Sequence, residues 1–458
     1  MKKIEHKWAI VVGMFIFMGV ILGTTFFSHI LPENGVESEK EKVQEAEHRR
    51  TTIEGNFVDR NGNIIMEPTA PTPENNTVLD LSYSYLLGYN HAALGDSGLR
   101  KIYRKHLYND DNTGKGGTVQ LTIDDELQKK AHALLKNDGY AGSIIVLDAK
   151  TGEILTMASR REVDYDLTEF SQERFDVYKE IQDPLGRKVM FRNPATDDMA
   201  APGSVFKIVT SCAAIENGMD GFTYEDETGV LMVDNAEIPN FGRIPQGYQT
   251  LQLALINSTN TYFASLALAL GEKAMSDMVR KFLIGTTISL GYTNLPSSVE
   301  FNKGDFNLAQ IGWGQGSLAL SPLHMAAIAQ SIANDGTMCA PFITKALYDV
   351  HGRQLVEDEG KTDLAYPIAP ETARRVKEMM KTVAQAYVNK AGYPNLFAHT
   401  ENVYCKTGTA DLSNTTSINN AYFLCMTDDY VILTTVINTN IMGGNLVHIT
   451  DHILNDLY

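Results

Sequence analysis

Ser204-Val205-Phe206-Lys207 is the sole Ser-x-x-Lys in this 458-residue chain. A serine hydroxyl becomes a nucleophile when a base takes its proton, and a neutral lysine amine can serve as that base. Ala201-Pro202-Gly203 precede an apolar helical run, which predicts Ser204 in the first turn of a helix. Lys207, three residues on, then falls on the same face, within reach of the hydroxyl. The helix N-terminus adds positive potential where negative charge would develop. The chemistry this pair predicts is nucleophilic catalysis by serine.

Two tripeptides, Ser-x-Asn and Lys-Thr-Gly, accompany Ser-x-x-Lys in one class of serine catalyst. Each occurs twice here. Ser258-Thr259-Asn260 lies between helical runs Leu251–Ile256 and Tyr262–Leu270, whereas Ser417-Ile418-Asn419 sits in a polar stretch between strand signals. Lys150-Thr151-Gly152 belongs to an early hairpin and reads as turn chemistry. Lys406-Thr407-Gly408-Thr409-Ala410 instead ends a strand-like run, where its side chains can line a cleft. Order and context select Ser204, Ser258 and Lys406.

The elements that must position these residues alternate in type. Asp124 reads as the cap of an amphipathic helix over Asp125–Asn137, closed by Gly139. Ser143–Leu147 and Glu153–Ala158 read as strands joined by a hairpin. Helical pattern dominates from Val205 to about Leu270 and again over Pro370–Val388. Val403–Lys406, Ala421–Met426 and Tyr430–Ile437 read as three more strands, and a short final helix opens near His448. Two strands early and three late imply one sheet assembled from both ends of the domain, an α+β arrangement. Ahead of it, Phe57-Val58 and Ile64-Ile65 flank a turn at Asp59–Asn63. The tract Asn109–Gly117 is the best linker, which sets a small module at 51–113 and a large domain at 114–458.

Lys plus Arg total 39 against 56 Asp plus Glu, a formal charge of -17, so the surface repels phosphate backbones and nucleic-acid binding is not expected. Hydrophobic residues at 43% exclude wholesale disorder. No Walker loop and no Gly-x-Ser-x-Gly elbow occurs. The four cysteines form no Cys-x-x-Cys pair, which removes a zinc ribbon; Cys405 and Cys425, on neighbouring strands, read as buried free thiols, with a disulfide as the alternative. His448 and His452 have helical zinc-ligand spacing, but Ile449 occupies the glutamate position, so the pair reads as a surface or core-edge feature and no metal is expected.

Trp8 to Ser28 is an apolar run without charge. At ~1.5 Å rise per residue it reaches ~31 Å, the thickness of a hydrocarbon core. Lys2, Lys3 and Lys7 precede it and Glu33, Glu37 and Glu39 follow. That asymmetry predicts a cytoplasmic tail at 1–7, one transmembrane anchor at 8–28 and an extracytoplasmic body. A cleaved signal peptide is the alternative, but the stretch is long for one. Residues 29–50 read as a charged spacer.

With Ser204, Ser258 and Lys406 in that order, the chain resembles a class B penicillin-binding protein, a membrane-anchored D,D-transpeptidase of cell-wall synthesis. Leu121-Thr122-Ile123-Asp124 with Leu127-Gln128, and Val146-Leu147-Asp148 with Lys150–Leu155, resemble that family's domain opening. Ile311–Ser317 followed by Ser321-Pro322 resembles its Gly-Gln-Gly segment, and Leu86–Tyr89 with Ser97–Leu99 match in the small module. Two departures occur there. Arg100 stands where the family usually has Glu, and Glu54 where an Arg normally begins the Arg-Gly…Asp-Arg-Asn-Gly element, which puts the module's usual salt bridge in question.

The resemblance implies a transpeptidase domain of the penicillin-binding-protein and serine β-lactamase type, with a five-stranded antiparallel sheet flanked by helices. It implies Ser204 as nucleophile, Lys207 as base, Ser258 as proton relay, Asn260 as partner of Lys207 and substrate, and Lys406 as source of positive potential. Thr407, Gly408 and Thr409 would bind the substrate carboxylate, and the backbone N–H groups of Ser204 and Thr409 would form the oxyanion hole. The implied partners are D-Ala-D-Ala stem peptides, β-lactams and a multi-pass membrane glycan polymerase, with no cofactor. A D,D-carboxypeptidase, a β-lactamase-type hydrolase and a non-catalytic division or elongation scaffold are the competing functions.

Overall fold

Ile144, Ile145, Val146 and Leu147 are all buried, a continuous apolar run that a strand carries only when both of its faces are covered. They belong to β1 (Gly142–Asp148), which pairs with β2 (Ile154–Arg160) through the expected hairpin. The other strands come from the far end of the chain: β3 (Tyr404–Asp411), β4 (Asn419–Met426) and β5 (Tyr430–Thr439). The sheet order is β3-β4-β5-β1-β2, antiparallel throughout. β3 is therefore an edge strand, and β5 is the seam that joins the two halves.

In this computed structural model the described residues are 44–458, apart from Ala46, 72–79, Ala92, Glu169, 357–359, 392–395, 399–401 and 412–417. The tail at 1–7, the anchor at 8–28, most of the spacer and the decoy Ser417 lie outside them. Among the described residues no helix is long and apolar enough to cross a membrane.

Helices Pro322–Ala333 and Pro370–Ala391 pack on one face of the sheet, and Asp125–Asn137 with Val447–Leu457 on the other. Every residue of Pro322–Ala333 is buried, its polar members included: His324 Nε2 lies 3.0 Å from Phe282 O and Gln330 Nε2 donates to Ala149 O at 2.8 Å. Asp124 caps its helix as expected, its Oδ1 accepting the Leu127 N–H at 3.1 Å. His448 Nε2 lies 3.1 Å from Asp138 Oδ2 at the surface. Cys405 and Cys425 are register partners across β3 and β4, both buried as free thiols.

A second five-stranded sheet ties the small module to later chain. Phe57–Val58 pairs with Ile64–Met66 and, in parallel, with Thr118–Leu121, which in turn pairs with Thr344–Tyr348. The tract read as a linker is stitched into this module: Ile53 N–H donates to Gly114 O at 2.8 Å and Gly116 N–H to Ile53 O at 2.9 Å. The two departures from the resembled family meet here. Arg100 Nε donates to Glu54 Oε1 at 2.9 Å, Arg100 Nη2 pairs with Oε2, and Asn90 Nδ2 donates to Glu54 at 2.8 Å. Both charged side chains are buried. The salt bridge is present with its polarity exchanged.

The long helical reading of Val205–Leu270 needs correction. Helix α1 (Lys207–Glu216) ends early, and two pairs of short strands intervene before α2 (Leu251–Asn257) and α3 (Asn260–Lys281). Val230–Val233 and Ala236–Pro239 form one hairpin; Thr223–Asp226 pairs with Gly247–Thr250 around it. Asp234 and Asn235 both take positive φ, 49° and 61°, the mirror-image turn that a two-residue hairpin needs.

Candidate active site

Ser204 lies in a 3-10 turn, Gly203–Phe206, that runs directly into α1. Three residues per turn eclipses positions i and i+3, so Lys207 stands in line with Ser204. Ser204 is half-buried, whereas Lys207 is 0% exposed. The turn abuts the edge strand β3. Gly203 has φ +58°, and a Cβ there would come within 2.7 Å of Thr409 O. Gly203 N–H donates to Gly314 O at 2.9 Å, which brings the Gly-Gln-Gly segment against the turn. Gly203→Ala should therefore push Ser204 off β3 and lower its acylation by β-lactam about 10- to 100-fold, read by stopped-flow with a fluorescent penicillin.

Ser258 occupies the left-handed junction between α2 and α3, with φ +55° and ψ +43°. Strain of this kind in a non-glycine residue is costly and is found where a side chain must be aimed. Lys207 Nζ donates to Ser258 O and to Asn260 Oδ1, each at 2.7 Å, and lies 3.2 Å from Ser258 Oγ. A neutral amine has two N–H groups and one lone pair. The two shorter bonds use the hydrogens, leaving the lone pair for a hydroxyl proton.

Lys406, on β3, reaches the same hydroxyl, its Nζ lying 2.9 Å from Ser258 Oγ. Burial, reinforced by the Lys406 charge, holds Lys207 well below the ordinary lysine range. Burial also lowers Lys406, to about 8. Thr407 and Thr409 are half-buried on β3 and Gly408 lies between them. Thr409 Oγ1 accepts the Gly443 N–H at 3.1 Å, so its own hydrogen is available to donate to an anion. The decoy Lys150-Thr151-Gly152 is a turn, its Thr151 hydroxyl donating to Asp148 at 2.9 Å.

These positions fix the sign of a pH profile. If Lys207 is the base it must be neutral, so acylation is expected to rise as it loses its proton below the usual lysine range. If Lys406 is the electrostatic anchor it must be charged, so acylation is expected to fall as it deprotonates near about 8. The rate constant for β-lactam acylation should trace a bell across pH; a rate still climbing near pH ~10.4, where an ordinary lysine titrates, would contradict it.

Sequence reasoning missed several residues that position the site. Arg161, 1% exposed, pairs through Nη1 with Asp198 at 2.8 Å and braces the segment leading to Ser204. Asp226, Asn240 and Gln249 hold the Ser258 turn from the hairpins, and Gly443 backs Thr409. None carries a local motif; the one signal that could have marked the hairpins is the Asp234-Asn235 pair, which the reading of Val205–Leu270 as helical passed over. Among the described residues no group of His, Cys, Asp and Glu is placed to hold a metal ion.

An antiparallel sheet between helical layers, with a serine turn docked on its edge strand and two buried lysines beside it, defines an active-site-serine scaffold. The family model for the penicillin-binding protein transpeptidase domain matches residues 142–448. The chain belongs to the penicillin-binding protein transpeptidase domain family, whose domain it carries over those residues. It is 32% identical over 321 residues to penicillin-binding protein PbpB of Mycolicibacterium smegmatis, covering 65% of this chain and 45% of that protein. It is 28% identical over 313 residues to the peptidoglycan D,D-transpeptidase PbpA of the same organism, covering 65% and 61%. The matches thus span about half the length of these relatives. In fold it is similar to penicillin-binding protein A of M. tuberculosis, solved as a ceftriaxone acyl-enzyme complex, with TM-score 0.78 at 20% identity over 90% of this chain and 99% of that one. The D,D-transpeptidase domain of a peptidoglycan glycosyltransferase from Eggerthella lenta gives 0.75 at 23% identity over 89% and 98%.

Proposed function

We propose that the chain is a peptidoglycan D,D-transpeptidase acting through a Ser204 acyl-enzyme. The observation that carries this is the convergence of two buried lysine amines on Ser258 Oγ, at 3.2 and 2.9 Å, behind the Ser204 turn. Ser204 Oγ attacks the carbonyl of a D-Ala-D-Ala bond while Lys207 Nζ takes its proton. The C–N bond then breaks as Ser258 gives its hydroxyl proton to the departing D-Ala amine and takes the proton held by Lys207 in its place. An amine of a neighbouring stem peptide attacks the ester, forms the cross-link and returns the proton to Ser204.

The Ser204 and Thr409 N–H groups receive the oxyanion, a contribution of ~2.7–4 kcal/mol per donor. Lys406, with the Thr407 and Thr409 hydroxyls about Gly408, takes the substrate carboxylate. β-Lactams, which mimic the D-Ala-D-Ala bond, acylate the same serine. In this reading residues 1–7 are a cytoplasmic tail, 8–28 the single membrane anchor, 29–50 a spacer and 51–113 a module beside the domain at 114–458. Catalysis is extracytoplasmic, on strands supplied by a multi-pass membrane polymerase.

The test is intact mass of the full chain after benzylpenicillin, beside Ser204→Ala, followed by a stem-peptide assay with an acceptor amine. A persistent adduct on the unaltered chain alone, with cross-linked product, supports the proposal. Release of D-Ala without cross-linking, or β-lactam turnover without an adduct, reassigns the chain to a hydrolase. A folded chain with neither is a scaffold.

A further inference from the structure

Helix α3 starts at Asn260, yet Thr259, its cap residue, makes no side-chain capping bond. Asn240 does that work from the hairpins. Its Oδ1 accepts from the Thr261 N–H at 3.1 Å and lies 3.3 Å from the Thr261 hydroxyl, which also donates to it. Its Nδ2 donates to Asp226 Oδ2 at 2.6 Å and to Ile244 O at 3.2 Å. Asp226, 1% exposed, also receives the N–H of Gly229 at 3.1 Å and of Gln246 at 2.8 Å. Two more ties run the same way: the Thr259 hydroxyl donates to Gln249 Oε1 at 3.1 Å, and Asn260 Nδ2 donates to Pro239 O at 2.9 Å. This last bond orients the Asn260 amide, since with its NH2 turned to Pro239 its oxygen must face Lys207.

We propose that Asp226 and Asn240 are positioning residues for the acylation step: they clamp the start of α3 so that Asn260 Oδ1 holds the Lys207 amine at its proton-accepting angle. The inference rests on the Ser204 acyl-enzyme reading and deepens it. The carboxylate-binding groups, Lys406, Thr407 and Thr409, stand on β3, outside the clamp. Loosening the clamp therefore acts chiefly on the chemical step and touches the encounter only through the substrate contact implied for Asn260. A displacement of about 1 Å at a base suffices for on the order of 100-fold in rate.

The experiment uses the full chain and a fluorescent penicillin, separating the pre-covalent dissociation constant from the first-order acylation constant. Asn240→Ala should lower the acylation constant about 10- to 100-fold and leave the dissociation constant within about twofold. Asn240→Asp, which turns an acceptor toward Asp226, should fall as far. The exchange variant Asp226→Asn/Asn240→Asp restores a donor between the two and an acceptor toward Thr261, though it forfeits the bonds to Gln246 N–H and Ile244 O, and should recover part of the loss relative to Asn240→Asp. An unchanged acylation constant in Asn240→Ala overturns the proposal. So does a parallel loss in both constants without recovery in the exchange variant, which is the mark of a merely structural pair. If Asn240→Ala loses its cooperative melting transition, the comparison of Asn240→Asp with the exchange variant decides. No adduct on the unaltered chain instead overturns the acyl-enzyme reading itself, and this inference with it.

Discussion

Lys207→Met is expected to give a folded protein whose acylation by β-lactam is slower by on the order of 10⁴–10⁶, the cost of removing one member of a nucleophile–base unit. Methionine matches the lysine stem in length and suits a site that is 0% exposed. What it removes is the lone pair proposed to take the Ser204 proton. In a buried site no solvent base replaces it, and burial already keeps Lys207 well below the usual lysine range so that the pair works near neutrality. Intact mass over hours, with Ser204→Ala as the zero and a melting curve as the fold control, reads the result. A loss smaller than about tenfold would mean that another group takes the proton, and Lys406, 2.9 Å from Ser258 Oγ, would be the one to remove next.

Breaking the inverted ion pair should cost the fold a large part of its stability. Arg100 and Glu54 side chains are 1% and 4% exposed. Glu54→Ala or Arg100→Ala strands one buried charge and is expected to destabilise the protein by about 3–5 kcal/mol. The double exchange Glu54→Arg/Arg100→Glu restores the polarity that the family usually shows and should recover most of that loss. Urea unfolding of the unaltered chain, the two alanine variants and Glu54→Ala/Arg100→Ala forms a double-mutant cycle, and the exchange is measured beside it. Additive losses, with no recovery in the exchange, would show that packing around each side chain dominates and not their pairing.

Ser204, Lys207 and Lys406 were legible in the sequence because their chemistry is local: a turn into a helix, and a tripeptide on a strand. Ser258 was legible only through order and context, and the structure brings it to the two lysines. The five core strands could be read because their runs are long and apolar. The hairpins over Thr223–Thr250 were not, since four-residue strands with mixed burial leave little periodicity and the flanking helices dominate any window. Asp226 and Asn240 escaped notice for a different reason: a cap supplied across some twenty residues leaves no trace in the segment it caps. Glu54 and Arg100 were visible singly as departures, and their pairing exists only in three dimensions.

The seam between β1 and β5 has a consequence for how the molecule is born. Ile144 faces Thr434 and Leu147 faces Val431, partners separated by most of the domain's length. Until the last segment emerges, the hairpin of β1 and β2 has an apolar edge with nothing to zip to. Closing so long a loop is entropically slow, and an unpaired edge of this kind is where chains aggregate or recruit a holding chaperone. Maturation of the nucleophile is therefore a late event: the edge strand against which Ser204 docks joins the sheet only through β4 and β5, so a nascent chain is catalytically silent until its final strands have been laid down.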